Sequence, residues 1–301
     1  MGGVSELASP GQDLDLRLVR YFTVVAAHLH YGRAAAELHV AQPSLTRQVR
    51  RLEAQVGARL LDRDRQGTRL TEAGAAFLPR ARALLRAASR ASGAALAAAR
   101  PGRIVVGYTA GLIVTPALRE LRRRHPEAEA RALFLEWDEP RGALLDHRVD
   151  AVVTRLPLRA DGLRVAVLHE EPRVLLVSVD HRLAGRAAVT LDDIADEPVP
   201  RFADAEWSAY WRLDPRPGGV PAPDGPLVDS IEDKVECVAA GQAVAIVPAA
   251  LHAGGLRSDL TVVPLLGVEP GRVVLATRVG DRGPLVTAFR AAARGCLRPG
   301  G

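Results

Sequence analysis

The chain has 301 residues, 48% of them apolar, enough for two or three domains with real cores. No uncharged apolar run approaches the roughly 18 residues of a membrane span. The start, "MGGVSELASPGQDLD", lacks a basic segment followed by an apolar stretch, so no secretory signal is expected and the expected compartment is the cytoplasm. The net charge of +5 is uneven: residues 14–70 hold ten Arg against five Asp and Glu, residues 71–100 five Arg against one Glu, and residues 101–301 25 Lys and Arg against 27 Asp and Glu. A polyanionic partner is therefore expected for the front of the chain only.

In chain order, residues 1–13 are expected to be a disordered tail. "LRLVRYFTVVAAH" (16–28) then places Leu18, Phe22, Val25 and Ala26 on one helical face. "GRAAAELHV" (32–40) fits a second short helix with Ala35 and Leu38 inward. After a turn at Ala41 and Gln42, Leu45, Val49, Leu52 and Val56 form a single stripe on a third helix. Pro43 suits its first turn, and Gly57 its left-handed end. Three helices with a tight turn between the last two define a helix-turn-helix over residues 16–56. "RLLDRDRQGTRLT" (59–71) reads as a two-stranded wing turning at Asp64 to Gly67.

Residues 72–99, rich in Ala, Leu and Arg, predict a long helix that Pro79 kinks or divides. Its stripe of Leu78, Ala81, Leu84, Leu85 and Ala88 has nothing to pack on within its own domain, which favours self-association; docking back onto its own chain is the alternative. From Arg103 the pattern changes to α/β. "IVVGY" (104–108), "ARALFLEW" (130–137), "DAVVT" (150–154), "RVLLVSV" (173–179) and "AVAIVP" (243–248) read as strands, with helices such as "PALRELRRRHP" and "IEDKVECVAAG" between them. This alternation predicts parallel units and, over such a length, two subdomains with a cleft. "RLDPRPGGVPAPDGP" (212–226) is expected to be a surface loop. Cys237 and Cys296 lie far apart with no metal-ligand spacing and read as reduced thiols, a redox-sensing pair being the alternative. Lys234 is the only lysine.

The segments "LRLVRYFTVVA", "RAAAELHVAQPSLTRQVRRLEAQVGARLLDR" and "RLTEAG" resemble the LysR-type transcriptional regulators; "GRIVVGYTAG", "LLDHRVDAVVTRLP" and "GQAVAIVP" are similar to weaker effector-domain segments of that family. The resemblance implies an N-terminal all-α winged helix-turn-helix (14–70), a long dimerising linker helix (71–100), and an α/β effector domain (101–298). That domain would comprise two Rossmann-like subdomains, one of about residues 103–165 with 272–298 and the other of about 166–271. It implies a homodimer or homotetramer that binds double-stranded promoter DNA, contacts RNA polymerase, and senses a small-molecule effector without a cofactor or metal. Gly32 stands where the family has a Ser or Thr cap, and His147 where it has a helix-ending glycine.

In such a fold the third helix enters the major groove by its first turns. Gln42 and Arg47 are then the expected readers of adenine and guanine, with Pro43 against a thymine methyl and Ser44 and Thr46 beside them. Arg33, Arg50 and Arg51 are expected on phosphates, and Arg65 and Arg69 of the wing on the adjacent backbone or minor groove. Ligands of parallel sheets gather at the strands' carboxyl ends. That singles out Tyr108, Thr109 and Gly111 of "YTAG", Thr154 and Arg155 after "DAVV", Arg201 and Phe202 of "PRF", and Ser230. Arg155 matches a position that binds a carboxylate in some family members, which favours an anionic effector; a salt bridge to a local acid is the alternative. Thr109 and Ser230 have the alternative of helix capping, and Trp137 and Phe202 that of core packing. No GxSxG, HExxH or P-loop is present, so catalysis is not expected. The α/β part alone equally fits a solute-binding domain or an enzyme, and the front alone an architectural DNA binder.

Overall fold

The computed structural model describes residues 13–64, 67–99, 102–252 and 255–297. Apart from Asp13, the tail expected over residues 1–13 lies outside them. The chain divides into two compact units, residues 1–95 and 96–301.

In the first unit, α1 (Leu16–His28), α2 (Tyr31–Glu37) and α3 (Gln42–Val56) enclose one core. Leu18, Phe22 and Val25 of α1 and Leu45, Val49 and Leu52 of α3 are fully buried. Asp15 caps α1, its carboxylate accepting from the Arg17 amide at 2.8 Å. The cap of α2 is His30, not Gly32: His30 Nδ1 accepts from the Arg33 amide at 3.2 Å. Gly32 instead keeps room for that ring, because a Cβ there would lie 2.9 Å from His30 Cε1. Gly57 ends α3 at φ +77°, where a Cβ would be strained.

The wing is β1 (Leu61–Asp64) paired antiparallel with β2 (Gly67–Leu70). Glu53 ties it to α3, its Oε1 accepting from the Leu60 and Leu61 amides at 2.8 and 3.1 Å. The helix α4 (Glu72–Ala99) follows and runs undivided past Pro79. Thr71 caps it by accepting from the Gly74 amide at 2.9 Å while donating to the Arg59 carbonyl at 2.7 Å. The stripe of α4 does find partners in its own unit. Ala73, Phe77, Leu78, Ala81 and Leu85, spaced on one face, pack on the three-helix core, and Phe77 meets Phe22 at 5.5 Å. Leu84 stays 37% exposed.

The second unit runs β3 (Arg103–Tyr108), α5 (Thr115–Arg124), β4 (Glu129–Phe134), α6 (Pro140–Leu145), β5 (Ala151–Arg155) and β6 (Leu163–Glu171). It continues with β7 (Arg173–Ser178), β8 (Val199–Arg201), α7 (Ala205–Arg212), β9 (Asp224–Leu227), α8 (Ile231–Ala239), β10 (Ala245–Pro248) and β11 (Leu260–Pro264). Then β12 (Gly271–Arg278) and α9 (Pro284–Cys296) return to the first sheet. That sheet has the order β4-β3-β5-β12-β6, the other β10-β7-β11, with β8 and β9 paired separately.

Among the described strands β3, β4 and β5 are mutually parallel, as is the β8–β9 pair; β12 is antiparallel to β5 and β6, and β7 to β10 and β11. The expected parallel units are found among β3, β4 and β5, while the later strands β6, β7, β10, β11 and β12 pair antiparallel. Apolar runs covered on both faces look alike in either direction. The first sheet is covered on both sides, by Leu118, Leu121 and Phe289 on one and by Leu135, Ala143 and Leu144 on the other. β6 stays in it as far as Glu171, because it pairs with β12 from Leu163 opposite Arg278 to Glu171 opposite Gly271. The first lobe thus extends past residue 165, and the second sheet begins at Arg173.

Asp150 locks three strands of the first sheet. Its Oδ2 accepts from the Val105 amide at 2.8 Å and its Oδ1 from Arg278 Nη2 at 3.1 Å. His147, before it, adopts φ +55°, the left-handed turn that glycine would favour. Residues 212–226 are more than a surface loop. Arg212 donates to the Ala222 carbonyl at 2.7 Å and Arg216 to the Ile194 carbonyl at 2.6 Å, and both side chains are buried. No helix among the described residues is long and apolar enough to cross a membrane.

A Cβ on residue 74 would lie 2.0 Å from the Leu60 carbonyl oxygen, a contact with backbone that cannot rotate away. Gly74→Ala should therefore lower the stability of the N-terminal unit by about 3 kcal/mol, read as a shifted urea midpoint with helix content retained.

Candidate DNA interface and effector cavity

Helix α3 divides its residues by face. Leu45, Val49 and Leu52 are fully buried, so Gln42, Pro43, Arg47, Arg50 and Arg51 are left exposed on the opposite side. Gln42, Pro43, Thr46, Arg47 and Arg50 line one open concavity of about 560 Å³. Thr46 donates its hydroxyl to the Gln42 carbonyl at 3.0 Å and presents only acceptor capacity outward. Ser44 is half-buried and does not line that concavity. Arg33 is exposed and donates to the His28 carbonyl at 3.2 Å, at the end of α1. Arg69 lies 3.8 Å from Asp62 across the wing, and Arg65 is outside the described residues.

In the second unit, the pairing of Tyr108 with Val153 sets the carboxyl ends of β3 and β5 side by side. Thr109 and Thr154 meet there, both buried, Oγ1 to Oγ1 at 3.3 Å. Thr109 is not a helix cap: α5 begins only at Thr115 and has no side-chain cap. Both threonines open onto a cavity of about 50 Å³, also lined by Glu136, Trp137, Arg155, Trp207, Trp211, Glu232 and Lys234.

Arg155 is not free to bind a ligand carboxylate. Its Nε and Nη2 donate to Glu171 at 2.8 and 3.1 Å, and its Nη1 to the Ala110 carbonyl at 2.6 Å. The two side chains are 9% and 5% exposed. Glu171 also accepts from the Ala250 amide at 3.1 Å, so one carboxylate ties β5 of the first lobe to the second. The anionic half of the expected ligand contact is thus supplied by the protein itself.

The cation left over is Lys234. It is 5% exposed on the inner face of α8 beside Cys237 and Val238, and its ammonium has no hydrogen bond or ion pair among the described residues. Its nearest aromatic centroids are those of Phe202 and Trp207, at 5.8 and 5.9 Å. Burial, and secondarily the Arg155 charge, hold its pKa down at about 8. Lys234 escaped the sequence reading, although a signal was present. The only lysine of an arginine-rich chain occupies a core position of an amphipathic helix.

Four of the expected effector residues meet at the cavity: Thr109, Trp137, Thr154 and Arg155. The other five do not line it. Tyr108 packs on Phe134, and Gly111 turns the chain at φ +69°. Arg201 pairs with Asp224 at 3.2 Å, and Ser230 caps α8 by accepting from the Asp233 amide at 3.0 Å. Phe202 is buried behind Trp137 and Trp207, with centroids 5.0 and 4.7 Å away. Cys237 is a buried free thiol whose pKa burial pushes up, and Cys296 is also free.

A winged helix-turn-helix with an outward polar face, joined in one chain to a two-lobed α/β unit with a cavity at its strand ends, defines a ligand-responsive DNA-binding regulator. Residues 16–75 match the family described as "Bacterial regulatory helix-turn-helix protein, lysR family", and residues 97–297 match "LysR substrate binding domain". The chain belongs to the LysR family of transcriptional regulators.

It is 35% identical over 272 residues to the small neutral protease regulatory protein of Streptomyces coelicolor, covering 83% of this chain and 82% of that one. It is 34% identical over 196 residues to the Escherichia coli K12 transcriptional regulator YnfL, covering 63% of this chain and 66% of that one. Among solved structures, CbnR, a LysR family transcriptional regulator, superposes with a TM-score of 0.59 at 26% identity, over 94% of this chain and 99% of that one. CbnR complexed with its target DNA matches with a TM-score of 0.53 at 26% identity, covering 95% and 100% of the two chains.

Two outcomes follow for the effector unit. Glu171→Ala leaves the Arg155 guanidinium buried without its partner and should cost about 3–5 kcal/mol, measured by chemical denaturation. Lys234 has a folded pKa of about 8 against an ordinary 10.5, so the unfolded chain binds the extra proton between those values. Stability of the ligand-free protein should therefore rise with pH across that window, by on the order of 3 kcal/mol in full. Lys234→Met should abolish the rise and be the more stable form at pH 7.

Proposed function

We propose that this regulator binds promoter DNA through α3 and the wing and senses, in the cavity between its lobes, a small metabolite bearing an anionic group. What supports the DNA end is the division of α3 into a fully buried apolar face and an exposed face carrying Gln42, Pro43, Arg47 and Arg50. Gln and Arg near the start of such a helix have the donor and acceptor geometry for adenine and guanine edges. Arg33, Arg50 and Arg51 are assigned to phosphates, and Arg69 of the wing to the adjacent backbone or minor groove. What supports the ligand end is the enclosure of Thr109, Thr154 and the unpaired Lys234 around one space.

The protein acts in the cytoplasm as a homodimer or homotetramer joined through α4, whose outward residues include Leu84. An effector that prefers one arrangement of the lobes shifts the population toward it, and the oligomer then alters DNA bending or the contact with RNA polymerase. No cofactor is needed for this cycle.

DNA that co-purifies with the protein, once sequenced, supplies the operator for footprinting. On it Arg47→Ala should lose preference for operator over random DNA, by about 1–3 kcal/mol of discrimination. Arg51→Ala should weaken binding to both by a similar factor and flatten the salt dependence by about one unit of slope. Equal losses on both DNAs for Arg47→Ala would remove that residue from base reading.

A further inference from the structure

The charges around the cavity are ordered along its depth. Inside, Arg155 is neutralised by Glu171, which leaves the Lys234 ammonium as the one charge without an ion pair among the buried lining residues; Arg155 repels it, and the exposed Glu232 carboxylate attracts it without making an ion pair. The Thr109–Thr154 contact consumes one hydroxyl hydrogen and leaves the other to donate. At the exposed side of the same cavity stand Glu136 and Glu232, and neither carboxylate makes an ion pair among the described residues. Burial first, then repulsion from Glu232, Glu139 and Asp138, raises the Glu136 pKa.

A simple anion would satisfy Lys234 but would sit beside two unpaired carboxylates. A dianion or a phosphate ester would be repelled more strongly. A cation would satisfy the carboxylates and leave Lys234 buried without a counter-charge. A dipolar ligand meets both demands.

The indoles of Trp137, Trp207 and Trp211 form an apolar wall to the same space. Its volume of about 50 Å³ is about two waters' share of liquid water, so a carboxylate-sized group enters and the rest of the ligand lies toward the exposed side.

From this arrangement we infer that the effector is a free α-amino acid, its carboxylate on Lys234 and the threonine hydroxyl, its ammonium on Glu136 and Glu232. This rests on the proposed anion-sensing role of the cavity and narrows it to a zwitterion. Lys234 thereby becomes the specificity-determining cation in place of Arg155.

The test is isothermal calorimetry and tryptophan fluorescence on the full chain at pH 7. The probes are the twenty standard L-amino acids, with propionate and 3-phenylpropionate as the carboxylates lacking the ammonium of alanine and phenylalanine, and ethylamine as the lone cation. At least one amino acid should bind, and tenfold or more tighter than propionate, 3-phenylpropionate or ethylamine. Its affinity should fall at least tenfold in Lys234→Met, recover in part in Lys234→Arg, and decline in wild type as the pH rises through about 8. In the double variant Glu136→Gln/Glu232→Gln, at two exposed positions, the advantage over the simple carboxylates should vanish while their own binding is unchanged or stronger.

Failure of every amino acid to bind, or an advantage untouched in the double variant, overturns the inference. Simple carboxylates binding tightest through Lys234 overturn it while leaving the anion-sensing role intact. Ethylamine binding tightest overturns both.

Discussion

The effector unit depends on one buried ion pair, Arg155 with Glu171. Arg155 closes β5, and Glu171 is the last residue of β6 before Pro172 carries the chain into the second sheet. Two parallel N–H···O bonds hold the pair, and the remaining capacity of each side goes to backbone, the Ala110 carbonyl and the Ala250 amide. Removing two charges from water costs free energy that hydrophobic residues of the same volume would not. What the pair contributes is geometry: it fixes the carboxyl end of the first sheet against the second lobe at the margin of the cavity. It also removes the most obvious ligand-binding cation from service and throws that role onto Lys234, which no protein group neutralises within ion-pair distance among the described residues.

The DNA-binding end rests on a different constraint, the sharing of one helix between a core and an outward face. α3 can present Gln42, Pro43, Arg47 and Arg50 because Leu45, Val49 and Leu52 anchor its other side. Residues with no evident chemistry hold the frame around it. Glu53 secures the start of the wing through two backbone amides, Thr71 joins the entry of α4 to Arg59, and Gly74 lets α4 approach the Leu60 carbonyl. Those contacts explain in physical terms why "RRLEAQVGARLLDR" and "RLTEAG" carry these residues in this order. The packing of Phe77, Leu78, Ala81 and Leu85 on the same core makes the first turns of α4 part of that frame.

Much of the fold was legible because it is local. α1, α3 and α4 begin and end where periodicity, Pro43, Gly57 and Thr71 place them, and the strands at 103–108, 129–134 and 151–155 follow apolar runs. The misses share one cause. β6 and β12 alternate exposed and buried residues weakly and owe their pairing to partners about a hundred or more residues away in sequence, and β7 is flanked by antiparallel strands that its own residues do not encode. The cap of α2 was misassigned because a histidine ring folds back over a glycine, a contact that propensity does not describe.

For function the line falls in the same place. The amino-acid order alone determined that an arginine-bearing helix-turn-helix precedes an α/β region, because apolar spacing, helix caps and charge are properties of neighbouring residues. It also placed Thr109, Thr154 and Arg155 at strand ends that the fold brings together at one cavity. Only the tertiary structure decided which cation there is free. Arg155 and Lys234 are both positive in the sequence; Glu171, 16 residues beyond Arg155 and on another strand, cancels one and not the other. Whether a buried charge is spent or available depends on what folding sets within about 3 Å of it, and spacing along the chain does not carry that information.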